Sequence, residues 1–500
     1  MRPSGFLLAI FRFLLPPTLI GVVYLYLYPV LQQCSFPPAK GAQAACHFDG
    51  ADSRPAIAAE VAPFRLLALA DPQLEGDTSL LDANAPWLPS LARLREEGIA
   101  EVGRELVTND LARVLQGYRK RLDLWGNDLY LAHIYRTVAC WTQPTHTVVL
   151  GDLLGSQWIG DEEFSRRSHR FWDVFAGGVK VPQGITDVSG RVEILGGDDA
   201  WKRRVIAVAG NHDIGYAGDI DEHRIERFEA AFGSVNWDIR FRLDTASNKT
   251  QPPRSAFSSP AFSAPPELRL VILDSMNLDE PAYKPELRQQ SLDFLASQLR
   301  EQASNAGTIL LTHIPLHKEA GICVDAPYFS HFPNDQGGGI REQNHLSQQM
   351  SSRILAGLLP SDESGSAIVL NGHDHEGCDT YHHRRSAAGE GREPAWQASR
   401  FHSPQAQRHD DSSTGLREIT VRSMMGSYSG NAGLLSAWFD PDAGRWRFEY
   451  ATCMLGVQHI WWAVHVLALV EGCLGLAGAA CLWAEKRRLE PAPARRAKMA

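Results

Sequence analysis

The sequence lacks two features that would mark a nucleic-acid-binding protein or a disulfide scaffold, namely excess positive charge and frequent cysteine. Its formal net charge is −9, so it has no general attraction for a polyanion, and we expect no nucleic-acid partner. Eight cysteines in 500 residues are too few for a disulfide-rich scaffold. An apolar fraction of 44% and a charged fraction of 21% exclude disorder as the default and predict a folded core.

A long apolar run lies near each end of the chain. Residues 13–31 form a run of roughly 19 residues, about the length that crosses a bilayer. Residues 456–484 form the second run, and a basic tail, 485–500, follows at once. Because basic residues stay on the cytosolic side of a membrane, residues 1–12 and 485–500 are predicted to be cytosolic and both apolar runs to be transmembrane helices.

Everything between the two runs is then predicted to lie in the lumen. We expect a luminal linker over 32–63 and a luminal domain over 64–455. Within that domain, residues 382–413 are rich in Ser, Gly, Gln, Arg and Glu without apolar periodicity and are predicted to be a mobile surface insertion. Asn248 begins a glycosylation sequon in the same domain, in agreement with a luminal glycoprotein.

Each apolar run has an alternative interpretation. The first could be a cleaved signal peptide, although it is long, contains two prolines and lacks a small-residue cleavage pattern. The second could be a buried core helix, but the basic tail favours a membrane span. Glu471 lies within the second run and is expected to face protein or water rather than lipid.

The luminal domain alternates short apolar runs with longer segments of helical spacing. Alternation of this kind predicts an α/β domain whose strands end in loops that carry the chemistry. The predicted strands are 65–70, 147–150, 205–208, 268–273, 308–311, 367–370, 416–423 and 434–440. The predicted helices are 99–118, 128–140, 221–232 and 285–302.

Residues of metal-ligand type follow five of the predicted strands. A single Asp or His in such a place is more often a turn or cap residue, but the ordered set is far harder to explain by chance. The segments are Asp71-Pro72-Gln73, Gly151-Asp152, Gly210-Asn211-His212-Asp213, Thr312-His313 and Gly372-His373-Asp374-His375.

This ordered set resembles the calcineurin-like metallophosphoesterase superfamily, whose pattern is D-x-H, G-D, G-N-H-D/E, H and G-H-x-H. The resemblance implies an α/β fold of two stacked mixed sheets flanked by helices, with two divalent ions at one edge. It also implies two ligand sets that share Asp152, because a carboxylate bridges two ions well. One set is Asp71, Gln73, Asp152 and His375, and the other is Asp152, Asn211, His313 and His373.

Three further site expectations come from the resemblance. His212 is expected to contact the phosphate and help the leaving oxygen depart, with Asp213 holding its ring in place. Gln73 stands where most of the superfamily has His, and its neutral oxygen favours Mn²⁺ or Mg²⁺ over Zn²⁺, with Mn²⁺ as the first choice. Two alternatives stay open for Gln73, namely binding through a water molecule and no binding at all. Segments that share one metal site must lie close together, so Cys323 and Cys378 are the suspected disulfide, with two free thiols as the alternative.

Within the superfamily, the two-anchor branch that removes an ethanolamine-phosphate side group from glycosylphosphatidylinositol (GPI) anchors is the most similar, in its fungal form. The resemblance rests on residues 70–73, 151–156, 210–216, 130–136 and 424–431. It implies a membrane-embedded enzyme of the endoplasmic reticulum or early Golgi whose substrate is the GPI glycolipid. It also implies a role in cargo export, with possible export partners.

Two other functions remain open from the sequence. The first is a membrane-facing phosphodiesterase acting on phospholipid head groups or nucleotide diesters, since the motifs alone do not separate it. The second is a non-catalytic cargo or metal-handling protein on the same fold. The match of every predicted ligand type except Gln73 to the superfamily argues against this second function.

Overall fold

The computed structural model describes most of the chain, including every segment that carries a predicted metal ligand. The described residues are 2–39, 61–76, 86–94, 98–244, 264–300, 305–323, 328–359, 366–384, 396–403 and 415–489. The predicted glycosylation site at Asn248 and the end of the basic tail lie outside them.

Sixteen strands and ten helices form the described part of the chain. The strands are β1 (Phe64–Leu69), β2 (His146–Leu150), β3 (Val179–Lys180), β4 (Arg191–Ile194), β5 (Arg204–Val208), β6 (Trp237–Arg242), β7 (Glu267–Ile272), β8 (Ala306–Leu311), β9 (Phe329–His331), β10 (Ile340–Gln343), β11 (Ser366–Asn371), β12 (Cys378–Arg384), β13 (Trp396–Arg400), β14 (Gly415–Thr420), β15 (Asn431–Asp440) and β16 (Arg445–Met454). The helices are α1 (Pro3–Leu31), α2 (Ile99–Glu105), α3 (Leu111–Thr142), α4 (Asp161–Val174), α5 (Gln183–Thr186), α6 (Asn211–Ile214), α7 (Glu222–Phe232), α8 (Pro285–Arg300), α9 (Gln348–Leu358) and α10 (Gln458–Leu489).

Two mixed sheets form the centre of the domain, as the superfamily resemblance predicts. One has six strands in the order β16-β15-β1-β2-β5-β3, and the other has eight in the order β13-β12-β14-β11-β8-β7-β6-β4. Strands β1, β2 and β5 are parallel neighbours in the first sheet, and β8 and β11 are parallel neighbours in the second. Parallel neighbours bring their carboxyl ends to one edge, where their following loops meet.

The two sheets bury one apolar layer between them and a second layer beneath the helices. Strand β1 shows why, since Leu66 and Ala68 belong to the inner layer while Leu67 and Leu69 belong to the outer one. Successive side chains of a strand point to opposite faces, so a strand covered on both faces must be apolar throughout. The α/β class with two stacked sheets is thereby confirmed.

Two segments differ from the sequence-based expectation. Helices α2 and α3 are joined by a π-helical turn, Leu106–Asp110, so the two short helices predicted here form one nearly continuous rod. The segment 382–413, predicted as an insertion without regular structure, contains the end of β12 and all of β13. The pairing of β12 with β14 buries His382, and compositional bias hid this strand because its side chains are polar.

Helices α1 and α10 are both long and apolar enough to cross a membrane, and they pack against each other. Only 6% of the apolar 18-residue stretch of α1 and 11% of that of α10 are buried inside the protein, whereas a core helix would be mostly buried. Thr18 Oγ1 donates to Glu471 Oε2 at 2.9 Å, and Ser4 Oγ donates to Glu485 Oε2 at 2.7 Å. Glu471 therefore faces protein, as expected.

The C-terminal end of α1 and the N-terminal end of α10, called the inner ends below, are bonded to the domain. A disulfide joins Cys34, just after α1, to Cys453 at the end of β16, a pairing that the sequence did not suggest. A second disulfide joins Cys323 to Cys378, as suspected. Tyr24 Oη in α1 donates to the Leu455 carbonyl, close to the start of α10. The domain and the helix pair are therefore held together by covalent and hydrogen bonds.

Candidate metal centre

The structure brings all seven predicted ligands to one edge of the two stacked sheets. Each follows the carboxyl end of a strand, and the five strands concerned are β1, β2, β5, β8 and β11. The two sheets end side by side at this edge, so loops from both sheets share one site. The ligands come from segments up to about three hundred residues apart, as the 302-residue separation of Gln73 and His375 shows.

The first cluster of donor atoms consists of Asp152, His313 and His373, with Asn211 between them. Their ligand atoms all lie within 4.8 Å of one another. His313 Nε2 lies 3.0 Å from Asn211 Oδ1 and 3.3 Å from Asp152 Oδ1, and His373 Nδ1 lies 3.0 Å from the same Asn211 oxygen. His313 Nδ1 donates to the Leu150 carbonyl at 2.8 Å, which leaves Nε2 free to bind a cation.

The second cluster shares Asp152 and adds Asp71 and His375, again with donor atoms within 4.8 Å. The Gln73 amide nitrogen lies 3.1 Å from both Asp152 Oδ2 and His375 Nε2. If the amide is rotated by 180°, its oxygen takes the place of the nitrogen and can bind a cation there. Asp152 belongs to both clusters, so its two carboxylate oxygens face different donor sets, the arrangement that a bridging ligand requires.

Four of the seven ligands have left-handed backbone conformations. The φ angles are 51° at Asp71, 41° at Gln73, 49° at Asp152 and 73° at His373. Such conformations are uncommon outside glycine and concentrate where the surrounding structure holds a side chain in a functional position. Each of these residues lies within four residues of the end of a strand, so the backbone turns there to aim the side chain across the sheet edge.

Glycines beside the ligands leave room for them. A Cβ at Gly151, where φ is 83°, would lie 2.1 Å from His313 Nδ1, and a Cβ at Gly210 would lie 2.1 Å from the Asp152 amide nitrogen. Neither distance is compatible with a side chain. The Gly-Asp and Gly-Asn motifs are therefore explained by close approach of the ligand loops to one another.

Burial and mutual proximity shift the pKa values of several groups in this site. Burial, together with the charge of Asp152, raises the pKa of Asp71 well above its ordinary value. Burial opposes ionisation of Asp152 too, but the surrounding histidines, His313 foremost, together outweigh it and lower the pKa of Asp152. Burial would lower the pKa of His313, but Asp152 and Asp71 outweigh it and raise that pKa to about 9. Burial lowers the pKa of His373 to about 3. Asp71 Oδ2 has no hydrogen-bond partner among the described residues.

The donor set fits divalent cations on these observations. Two buried carboxylates, one of them with an unpartnered oxygen, lie beside three imidazoles. Carboxylate, amide and imidazole groups are the ligands that Mn²⁺, Zn²⁺ and similar cations take in dinuclear hydrolase sites. Bound cations would add positive charge and displace the protons.

His212 stands beside the ligands at the mouth of the site. Its backbone amide donates to Asp152 Oδ1 at 2.9 Å, and its Nε2 lies 3.8 Å from Asp152 Oδ2. Its side chain is 36% exposed. Its Nδ1 has no hydrogen-bond partner among the described residues. The ring therefore lies beside the donor clusters, and its contact with a substrate phosphate stays a prediction.

Asp213 differs from the expectation that it holds the His212 ring. Its carboxylate is fully buried and accepts the backbone N–H groups of Gly210 at 2.9 Å, Leu153 at 3.1 Å and Leu154 at 2.9 Å. Those donors lie in the two loops that carry Asn211 and Asp152. Both oxygens are directed at backbone, since α6 begins at Asn211 and turns Asp213 away from the neighbouring ring. Asp213 therefore joins two ligand loops.

A buried ionic cluster beneath the site was not found from the sequence. Glu418 on β14 is fully buried, and its Oε2 lies 2.8 Å from Lys318 Nζ and 2.6 Å from His382 Nε2. Its Oε1 accepts the Leu316 N–H at 2.8 Å and the Asn371 side-chain amide at 2.7 Å. Leu316 lies in the loop that carries His313, and Asn371 is the last residue of β11, two residues before His373. A Lys and a Glu far apart in the sequence give no local signal of such pairing.

Tyr428 links the site to the membrane-type helices and was likewise missed as a site residue. Its ring packs edge-on against His375 with centroids 4.9 Å apart. Gly426, two residues earlier, lies against Gln458, the first residue of α10, where a Cβ would come within 2.5 Å of the Gln458 side chain. One short loop therefore separates the metal centre from the start of an apolar helix.

Helix α3 contributes packing rather than ligands. Tyr130 Oη donates to the Gly456 carbonyl, and His133 Nε2 lies 2.8 Å from the Leu25 carbonyl of α1. Arg136 donates to the Asp173 carbonyl on α4 at 3.1 Å. All three side chains contact neighbouring elements, and none is within the donor clusters.

The chain is similar in sequence to several known proteins. No family model matches the sequence. The chain is 32% identical to Protein TED1 of Saccharomyces cerevisiae over 400 residues, which span 71% of this chain and 77% of that protein. It is 22% identical to Metallophosphoesterase 1 of Rattus norvegicus over 279 residues, 52% of this chain and 57% of that protein. A dimetal phosphatase structure from Danio rerio aligns with a TM-score of 0.33 at 12% identity, over 79% of this chain and all of that one.

Proposed function

The chain belongs to the calcineurin-like metallophosphoesterase superfamily and to the family of Protein TED1, and from this premise we propose the reaction that its metal-dependent phosphoesterase site performs. The proposed reaction is removal of an ethanolamine-phosphate side group from the glycan of a GPI anchor. The substrate is then a phosphodiester attached to a lipid, and the enzyme is a membrane protein of the endoplasmic reticulum or early Golgi.

The observation that carries this proposal is the position of the metal centre beside the two apolar helices. His375 contacts Tyr428, and the loop of Tyr428 packs on Gln458 at the start of α10. If α1 and α10 span the bilayer, the site opens close to the membrane surface. A phosphodiester on a glycolipid is confined to that surface, whereas a soluble substrate would gain nothing from such placement.

The proposed topology places the catalytic domain in the lumen and both chain ends in the cytosol. Two disulfides, Cys34 with Cys453 and Cys323 with Cys378, support an oxidising compartment. Lys486, Arg487 and Arg488 form the last turn of α10, on the far side of the membrane from the domain. Export partners and a cargo-transport role would follow from the substrate, since edited anchors alter the proteins that carry them.

Two divalent cations, which we propose to be Mn²⁺, would be held by the seven clustered residues. When bound, they supply charge stabilisation to the phosphoryl oxygens and an acidic water able to attack phosphorus at neutral pH. The amide oxygen of Gln73 in place of an imidazole makes its half of the site harder, which favours Mn²⁺ over Zn²⁺. The shared carboxylate of Asp152 fixes the two halves relative to each other.

His212 is the residue proposed to act on the leaving group. Hydrolysis forms a bond from water oxygen to phosphorus and breaks the bond from phosphorus to the mannose oxygen, which must take up a proton. The exposed ring of His212, next to the ligand Asn211, is placed to deliver that proton. Asp213 supports this geometry indirectly, because it fixes the loop from which the ring projects.

The proposal is tested by incubating the full chain, purified in detergent, with a GPI glycolipid labelled in its ethanolamine-phosphate side group. We expect Mn²⁺-dependent release of ethanolamine phosphate that is lost in Asp152→Asn. Cleavage of generic diesters or phospholipid head groups without release from the GPI lipid would discard the substrate assignment. A wild-type chain that binds metal yet cleaves no diester would favour the non-catalytic alternative.

A further inference from the structure

Helix α3 exposes an apolar stripe that the catalytic site does not use. Six large apolar side chains along this helix are between 36% and 60% exposed. They are Leu111, Leu115, Tyr118, Leu122, Trp125 and Leu129. At about 100° per residue, their spacing confines them to an arc of roughly 80° on one face of the helix. A contiguous exposed apolar surface of this size marks a contact with another apolar phase.

The stripe is continuous with the helices proposed to span the membrane. Trp125 lies beside Trp462 of α10, with ring centroids 6.4 Å apart, and Gly126 approaches Trp462 so closely that a Cβ there would clash. Further along α3, the Trp141 indole donates to the Tyr26 carbonyl of α1 at 2.9 Å. The C-terminal half of α3 therefore packs on the inner ends of α1 and α10, and its exposed stripe extends from there.

Basic residues border the stripe on both sides. By the same helical geometry, Arg119 and Arg121 project roughly 80° to either side of its centre, and both are exposed. Arg121 also lies over the Tyr118 ring, with its guanidinium 5.8 Å from the ring centroid. An apolar face with flanking arginines and tryptophan is the pattern of a helix that lies in the membrane interface, where guanidinium groups reach the lipid phosphates.

We propose that this stripe is a lipid-binding surface that rests the catalytic domain on the luminal leaflet of the membrane. The inference rests on the membrane anchoring in the proposed function and commits to bilayer lipid as the occupant. Continuity with α10 through Trp125 argues for lipid, because a protein partner would have to occupy the same interfacial layer as the spans themselves.

Contact with lipid would set the position of the metal centre relative to the bilayer. Lys120 Nζ lies 3.4 Å from Glu75 Oε2, and Glu75 is two residues from Gln73. Asp128 forms a bidentate pair with Arg170, which in turn donates to the Glu75 carbonyl at 2.7 Å. The side of α3 that faces away from the stripe thus holds the loop of two predicted metal ligands. A lipid-bound α3 would fix that loop at one height above the membrane.

Spin-label accessibility tests the lipid contact without reading activity. The full chain, with Cys46, Cys140, Cys473 and Cys481 replaced by serine, carries one nitroxide at Leu115→Cys in phosphatidylcholine nanodiscs. The matched control is Gln116→Cys, the exposed neighbour that projects away from the stripe. We expect Leu115→Cys to collide more with oxygen than with the water-soluble nickel complex, and Gln116→Cys to do the reverse. Equal nickel accessibility at both positions would overturn the proposal.

Two further outcomes are decisive. Shielding of Leu115→Cys in native membrane vesicles but not in nanodiscs would assign the stripe to a protein partner and overturn the lipid assignment. In the unlabelled chain, Leu115→Ser combined with Leu122→Ser should lower turnover of a vesicle-embedded diester about tenfold and leave a soluble diester unaffected. An equal loss on both substrates would contradict the role in positioning, whereas failure of the GPI assay alone would leave the spin-label result standing.

Discussion

Replacement of Glu418 by glutamine should destabilise the domain because it leaves Lys318 as an unpaired buried charge. Both side chains are almost fully buried, and the Lys318 Nζ to Glu418 Oε2 distance is 2.8 Å. Removal of one partner from a buried ion pair costs about 3–5 kcal/mol. Glutamine keeps an oxygen for the Leu316 N–H, so we expect Glu418→Gln to lie toward the lower end, about 3 kcal/mol.

The matched test is a double-mutant cycle with Lys318→Met. The double variant removes both charges and should recover most of the loss, with a coupling free energy of at least about 1 kcal/mol. Denaturant unfolding of the full chain in detergent, followed by near-UV circular dichroism, measures each corner. A cost below about 1 kcal/mol for Glu418→Gln, or strictly additive effects, would refute the account of this cluster.

The same residue gives a sign for the pH dependence. Burial disfavours ionisation of Glu418, but Lys318 and a hydrogen bond from His382 outweigh it and lower the pKa of this carboxyl. A lowered folded-state pKa contributes stability at pH values above the ordinary pKa of 4.5 and loses it as the pH falls further. Acid should therefore unfold the wild-type chain more steeply than the double variant, and identical pH profiles would contradict this linkage.

Three further predictions concern the site and its attachment. Asp213→Asn replaces an acceptor of three backbone N–H groups by a side chain that keeps only one oxygen, and should cost about 2–4 kcal/mol and weaken metal binding; an unchanged melting temperature and metal affinity would contradict it. Gln73→His should shift the Zn²⁺ to Mn²⁺ affinity ratio at least about tenfold toward zinc in metal competition, and no shift would exclude Gln73 as a ligand. Cys34→Ser with Cys453→Ser should lower the thermal midpoint without loss of diester turnover, and loss of turnover at full stability would contradict a purely structural tie.

The parts of the fold that were predictable are those encoded locally. The strands that precede Asp71, Asp152 and Asn211 are short apolar runs followed by glycine or polar residues, and this local pattern identifies the strands. The order of the five motifs indicated the superfamily, and the resemblance to the superfamily predicted the second sheet. Cys323 with Cys378 followed because both neighbour metal-binding segments.

The parts that were not predictable depend on contacts between distant segments. Cys34 and Cys453 are 419 residues apart, and nothing near either one indicates the other. Asp213 was assigned to its sequence neighbour His212, whereas the fold directs its carboxylate to backbone amides of another loop. Tyr428 acquires its place beside His375 only when the last sheet strands close on the first. Side-chain direction across a sheet edge is a property of tertiary packing, which local pattern does not specify.

We propose that Asp152 joins two cation sites into one phosphodiesterase centre. The most direct test of this claim is the metal content of the full chain, purified in detergent and equilibrated with Mn²⁺, measured by mass spectrometry alongside turnover of a soluble diester. We expect two cations per wild-type chain. For Asp152→Asn we expect at most one cation, with turnover lowered at least about a thousandfold. Two cations and near wild-type turnover in Asp152→Asn would contradict it.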